Sequence, residues 1–138
     1  MASIVNINYL AVLSAAISNM IIGFLWYGPL FGKQLMDLMG FTPKSMKSMK
    51  VTPKQAIAGG FVSAVIMSYV MAHFVGYVQA SSIMGGLQVG FWLWLGFVAT
   101  VMIGNVLWEG KPFKLFAINS GYWLVAMIVM GGILSVWR

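Results

Sequence analysis

Apolar residues run through this chain in tracts too long for a soluble core. Residues 1–32, 55–108 and 115–137 contain no Asp, Glu, Lys or Arg. A soluble domain needs charge spread over its surface to stay wetted, whereas a bilayer asks for about 20 apolar residues per helical crossing. The middle tract is 54 residues long, too much for one crossing. It breaks at Gln79-Ala80-Ser81-Ser82 and Gly85-Gly86, where turn formers cluster. The pattern predicts an all-α membrane protein: one four-transmembrane-helix bundle over residues 1–138, with spans at about 4–27, 55–79, 87–108 and 113–137.

Local chemistry marks the ends. Thr52-Pro53-Lys54-Gln55 has a capping Thr, a Pro at the first helical position and a Gln at the third, a capping box that starts the second span. Gly28-Pro29 is expected to stop the first, because Pro disfavours helical geometry just before it. Gly110-Lys111-Pro112 separates the last two. Trp26, Tyr27, Trp108 and Trp137 fall at expected interfaces, as an aromatic belt would. The first span has no basic residue before its apolar run, so it reads as a retained helix rather than a cleaved leader. Between spans one and two, Phe31, Leu35, Leu38 and Met39 share one helical face and Lys33, Gln34 and Asp37 the other, with Gly40 as C-cap. That predicts a short amphipathic helix in the interface. Thr42-Pro43 could begin another turn, with Met46 and Met49 towards lipid. Trp26-Tyr27-Gly28-Pro29-Leu30-Phe31 and Trp108-Glu109-Gly110-Lys111-Pro112-Phe113 match at Trp, Gly and Phe, a weak sign of parallel repeats or merely of two similar helix stops.

Small residues recur every four positions in the second span: Ala56, Gly60, Ala64, Ser68, Ala72 and Gly76. Shorter series are Gly96, Thr100 and Gly104 in the third, and Ala11, Ala15, Asn19 and Gly23 in the first. Lipid gives no hydrophobic drive between helices, so close backbone approach and polar contacts must hold them together. The strips are expected to pack the four helices on one another or, for at least one of them, to form a seam between copies.

Charge orients the bundle. The chain is 61% hydrophobic and 7% charged, with a formal net charge of +6. Lys33, Lys44, Lys47, Lys50 and Lys54 lie in the first loop, and Lys111 and Lys114 in or beside the third; the tail carries only Arg138. Basic loops beside spans face the cytoplasm. Loops 28–54 and 109–114 are therefore expected inside, facing anionic headgroups at the lysine-rich loop, and both termini outside. The same placement argues against nucleic acid. Cysteine is absent, which excludes disulfides and every thiolate site.

Candidate chemistry is sparse. Intramembrane polar groups are the default functional candidates. Asn19 and Asn119 lie at comparable depths and Asn105 nearer the surface; with Ser18, Ser120 and Tyr122 they either bridge helices or line a small polar cavity. His73, the only His, reads as a proton relay or ligand contact, or as a neutral imidazole bonded to a neighbouring helix, with Gln88 a possible partner. Glu109 is a substrate or ion ligand, or a surface pair with Lys111 or Lys33. Twelve methionines suit gap filling better than Cu(I), since no Cys or His cluster accompanies them. No paired carboxylates, nucleophile–base arrangement, phosphate loop or metal motif stands out, so neither enzyme activity nor a metal or other cofactor is expected.

Four clusters carry a resemblance: Trp26-Tyr27-Gly28-Pro29-Leu30-Phe31-Gly32-Lys33 with Met36 and Gly40; Gly90-Phe91-Trp92-Leu93-Trp94-Leu95-Gly96-Phe97; residues 105–112; and Ile118-Asn119-Ser120-Gly121-Tyr122. Across almost the whole chain the sequence resembles domain of unknown function 1761, a group of small bacterial proteins with four predicted spans. The resemblance implies the four-span architecture and no activity. It draws interest to Trp26, Tyr27, Pro29, Lys33, Glu109 and Asn119, and Trp108 joins Glu109 as an interface residue. The expected role is a non-enzymatic subunit of the bacterial inner membrane, associating with itself or a larger membrane complex. The alternative is a small transporter or channel whose path is lined by Asn19, Asn119, Tyr122 and His73.

Overall fold

A computed structural model describes residues 6–40 and 52–137. Four helices among these residues are long and apolar enough to cross a bilayer. Helix α1 is Tyr9–Leu25, continued by a wider π-type turn over Trp26–Leu30. The short amphipathic α2 is Gly32–Met39. The remaining spans are α3, Pro53–Tyr77; α4, Ile83–Leu107; and α5, Phe113–Val136. The chain is a four-span, all-helical membrane protein with a short helix in its first connection. The expected turn after Thr42-Pro43, with Met46, Met49, Lys44, Lys47 and Lys50, lies outside the described residues.

Capping chemistry sets the ends. The Asn8 side chain accepts from the Leu10 and Ala11 amides, at 3.1 and 3.3 Å, so α1 begins at Tyr9 rather than near residue 4. Asn8 Nδ2 also donates to the Trp137 carbonyl at 3.3 Å, tying the start of α1 to the end of α5. The capping box of Thr52 and Gln55 is present in both directions, at 3.1 and 3.2 Å. Gly40 ends α2 in the left-handed region at φ 70°. Gly28-Pro29 does not stop the first span. Pro29 is carried inside the wide turn, which closes with Phe31 N–H donating to the Trp26 carbonyl at 2.9 Å; the chain bends only at Phe31.

The third span begins earlier than its sequence suggested, and for a packing reason. Ser82 caps it, accepting from the Gly85 amide at 3.1 Å. Gly85 and Gly86 sit inside its first turns. A Cβ on Gly86 would overlap the Gly131 carbonyl and Ser135 Oγ, and one on Gly90 would overlap the Met127 carbonyl. These glycines mark the closest approach of two helices, not a turn. Ser135 Oγ donates to the Ser82 carbonyl at 2.8 Å and pins the loop end of α4 to α5. Farther on, α4 loosens: a second π-type turn occupies Leu95–Ala99, and Thr100 Oγ1 donates back to the Gly96 carbonyl at 2.7 Å.

Helix α5 is the hub. It packs most extensively on α4, then on α1, and more lightly on α3, while α3 leans chiefly on α1. Half of the most apolar stretch of α5 is buried, against 6% of that of α4. The core joins Ala11, Val12 and Ala15 of α1, Met71 and Val75 of α3, and Met127, Met130 and Leu134 of α5. Helices α3 and α4 are consecutive, yet they scarcely touch.

The small-residue strip of α3 is not one contact surface. Ala64 and Ser68 are buried, Ala72 and Gly76 half-buried, and Ala56 and Gly60 exposed. A four-residue step drifts about 40° on a helix of 3.6 residues per turn, so five steps turn through about 200°. The buried face instead runs Ala64, Ser68, Met71, Val75, and Ser68 Oγ donates to the Val12 carbonyl at 2.8 Å. In α1, Ala11, Ala15 and Asn19 are buried and Gly23 half-buried. In α4, Gly96 and Thr100 face outwards.

Candidate functional site

The intramembrane polar residues gather where α1 crosses α5. Asn19 is 1% exposed. The Tyr122 hydroxyl donates to Asn19 Oδ1 and lies 3.3 Å from its backbone carbonyl. Asn19 Nδ2 donates to Met130 Sδ at 3.5 Å. Gly23, one turn along α1, makes this approach possible, since a Cβ there would sit 3.3 Å from the Tyr122 hydroxyl. Below it, Tyr27 Oη donates to Asn119 Oδ1 at 2.9 Å, and the Tyr27 and Tyr122 rings stand 5.2 Å apart. The two asparagines therefore do not pair with each other. Each takes a tyrosine from the opposite helix.

Two indoles clamp the same stretch of α5 from either side. Trp26 Nε1 donates to the Ile118 carbonyl at 2.9 Å, and Trp94 Nε1 donates to the Ser120 carbonyl at 2.8 Å. Trp26 opens the wide turn of the first span, and Trp94 directly precedes that of the third. The partner of Trp26 in α4 is thus Trp94. Trp108, its match in the weak sequence repeat, is 89% exposed. Trp26 and Tyr27 also turn inwards rather than forming part of a lipid-facing belt. Ser120 is buried between the clamps, while Ser18 Oγ donates within its own helix to the Ala15 carbonyl at 2.7 Å.

The other candidates lie apart. His73 Nδ1 donates to the Tyr69 carbonyl one turn back on α3, at 2.9 Å, and its ring sits edge-on to that of Tyr69. Gln88 lines a groove with Phe74 and Val78. Asn105 is half-buried near the end of α4, where its backbone carbonyl accepts from the Lys111 amide at 3.0 Å. Pro29, Lys33, Glu109 and Lys111 are exposed at the lysine-bearing end of the bundle. No three His, Cys, Asp or Glu side chains come together among the described residues.

Chemically, the α1–α5 cluster consists of neutral donors and acceptors that satisfy one another. Among the described residues, no buried side-chain polar atom lacks a partner. Such pairs bridge helices, each contributing about 1 kcal/mol in a membrane. Two grooves lie elsewhere. A groove of about 560 Å³ opens sideways between α3 and α4, lined by Ser63, Met67, Phe74, Leu93, Phe97 and Met127 among others. A second, of about 390 Å³, shares Phe74 and Leu93 and continues to Gln88 and Val78. Sequence reasoning missed the roles of Trp94, Gly86, Gly90 and Met130. The usable signal was Gly86 and Gly90 one turn apart on α4, with Gly131 and Ser135 spaced likewise on α5.

The family described as "Protein of unknown function (DUF1761)" matches residues 10–135. No curated protein and no solved structure matches the chain.

Proposed function

The chain belongs to the DUF1761 family, whose function is unknown, and on that premise we propose that it is a non-enzymatic inner-membrane subunit that associates with a second copy of itself. The observation that carries this reading is the exposure of α4. Only 6% of its most apolar stretch is buried, and Phe97 and Val101 are 70% and 72% exposed. Along the same helix, a Cβ on Gly96 would meet nothing within 4 Å. Small residues open to the bilayer let another backbone approach closely, which is how helices associate in lipid. The α1–α5 cluster supports the reading from the other side: its amides and hydroxyls bridge helices rather than lining a path. The basic loops would lie on the cytoplasmic leaflet and hold anionic headgroups, leaving both termini outside.

The test is the molecular mass in a mild detergent, together with cysteine crosslinking in native membranes at Thr100→Cys or Val101→Cys. A dimeric mass and a crosslinked dimer are expected. A monomer in detergent and no crosslinked product in membranes would remove the proposal.

A further inference from the structure

We propose that the groove between α3 and α4 is a seat for one hydrocarbon chain of a membrane lipid, entering from the leaflet opposite the lysine-bearing loops. The claim stands apart from self-association.

Width argues first. The larger cavity holds about 560 Å³ and runs along α3 from Ser63 to Phe74, eleven residues or about 16 Å at 1.5 Å per residue. Its mean cross-section is then about 35 Å². A hydrocarbon chain, with carbon contacts at about 4 Å, needs about 20 Å². A hydrocarbon chain therefore fits lengthwise in the groove.

Depth agrees. The second cavity continues the first past Phe74 and Leu93 to Val78 and Gln88. Ser63 lies ten residues from the lysine-bearing end of α3, about 15 Å and so near mid-bilayer. From Ser63 to Val78 is about 22 Å, the depth of one leaflet with its headgroup region. A spanning helix would need about 30 Å of hydrocarbon depth.

The chemistry of floor and mouth completes the fit. Met71 of α3 and Met127 of α5 are buried, Val98 is half-buried, and all three line the groove. Thioether side chains adapt to an irregular apolar guest. At the mouth, Gln88 lines the cavity, and Asp, Glu, Lys and Arg are all absent from residues 55–108. The Gln88 amide can donate to an ester carbonyl, so the entrance suits the glycerol ester of an uncharged or zwitterionic lipid. A lipid on the outward ridge at Val62 touches one face of one helix, whereas one in the groove meets walls on both sides and a floor.

The test uses the full chain reconstituted with a phosphatidylethanolamine that carries a diazirine in mid-chain, followed by photolysis and peptide mass spectrometry. Adducts on Met71, Val98 and Met127 should exceed those on the more exposed Val62 and Ile21 several-fold. In Val70→Trp, which fills the groove, the floor adducts should fall away while those at Val62 and Ile21 persist. Adducts that simply follow exposure, strongest at Val62 and Ile21, would overturn the proposal. So would an efficient disulfide between copies from Val70→Cys, which would place a second chain in the groove. The wild-type ratio decides the matter even if the Trp variant fails to fold.

Discussion

Replacing Gly90 by Ala should loosen the bundle at its tightest contact, while the same change at Gly59 should not. A Cβ on Gly90 would stand 2.7 Å from the Met127 carbonyl carbon and 2.8 Å from Ile128 Cα. Unstrained carbon contacts lie at about 3.5–4.0 Å, so α4 and α5 must separate by about 1 Å. Both opposing atoms are backbone, and no side chain can rotate away. Such overpacking costs about 1–3 kcal/mol, and the separation also weakens the Gly86–Gly131 contact. The better helix propensity of Ala returns at most about 1 kcal/mol. A net loss of about 1–2 kcal/mol is expected for Gly90→Ala. At Gly59 of α3 a Cβ meets nothing within 4 Å, so Gly59→Ala should be neutral or slightly stabilising. Reversible unfolding in mixed detergent micelles, followed by far-ultraviolet circular dichroism, reads the difference. Equal stabilities for the two variants would refute the close α4–α5 contact.

Tyr122→Phe removes the donor to Asn19 and should cost about 1 kcal/mol in the same unfolding assay; no loss would show that Asn19 finds another partner. Trp94→Phe should lower stability by a similar amount, about 1 kcal/mol, whereas Trp108→Phe, at an exposed position, should stay within about 0.5 kcal/mol. Any solute flux into liposomes should be the same for Asn19→Leu, Asn119→Leu and wild type, since the two amides bridge helices; a selective loss in either variant would revive the transport reading. A membrane-impermeant acylating reagent should modify Lys54 and Lys111 in inverted vesicles and not in intact cells, and the reverse result would turn the bundle over.

The spans were legible because the solvent of the bilayer forbids charge, and uncharged tracts are hard to mistake. The ends that rest on side-chain capping were partly legible: Thr52 and Gln55 form a known pattern, but Asn8 looks like any polar residue near a terminus. Gly85-Gly86 was ambiguous in principle. Glycine serves both turns and close helix contacts, and only the arrival of Gly131 and Ser135, some 45 residues later in the chain, decides between them. Regular spacing misled for Ala56 to Gly76, since a period of four cannot stay on one face of a helix of 3.6 residues per turn. The polar cluster was half legible. Asn19, Asn119 and Tyr122 stood out as polar groups in lipid, but Tyr27 and Trp26 looked like interfacial aromatics. That they turn inwards depends on the wide turn at Trp26–Leu30, which carries no sequence mark beyond Pro29.

The most direct measurement is water contact at the buried amides. In bilayers, solid-state NMR of protein labelled with ¹⁵N at asparagine can transfer magnetisation from mobile water to side-chain Nδ2. Asn19 should give no water cross-peak, with its amide donating to Met130 Sδ and its carbonyl taken by Tyr122, while the exposed Asn6 gives one. A strong water signal at Asn19 would place a wet path at the centre of the bundle and contradict the account.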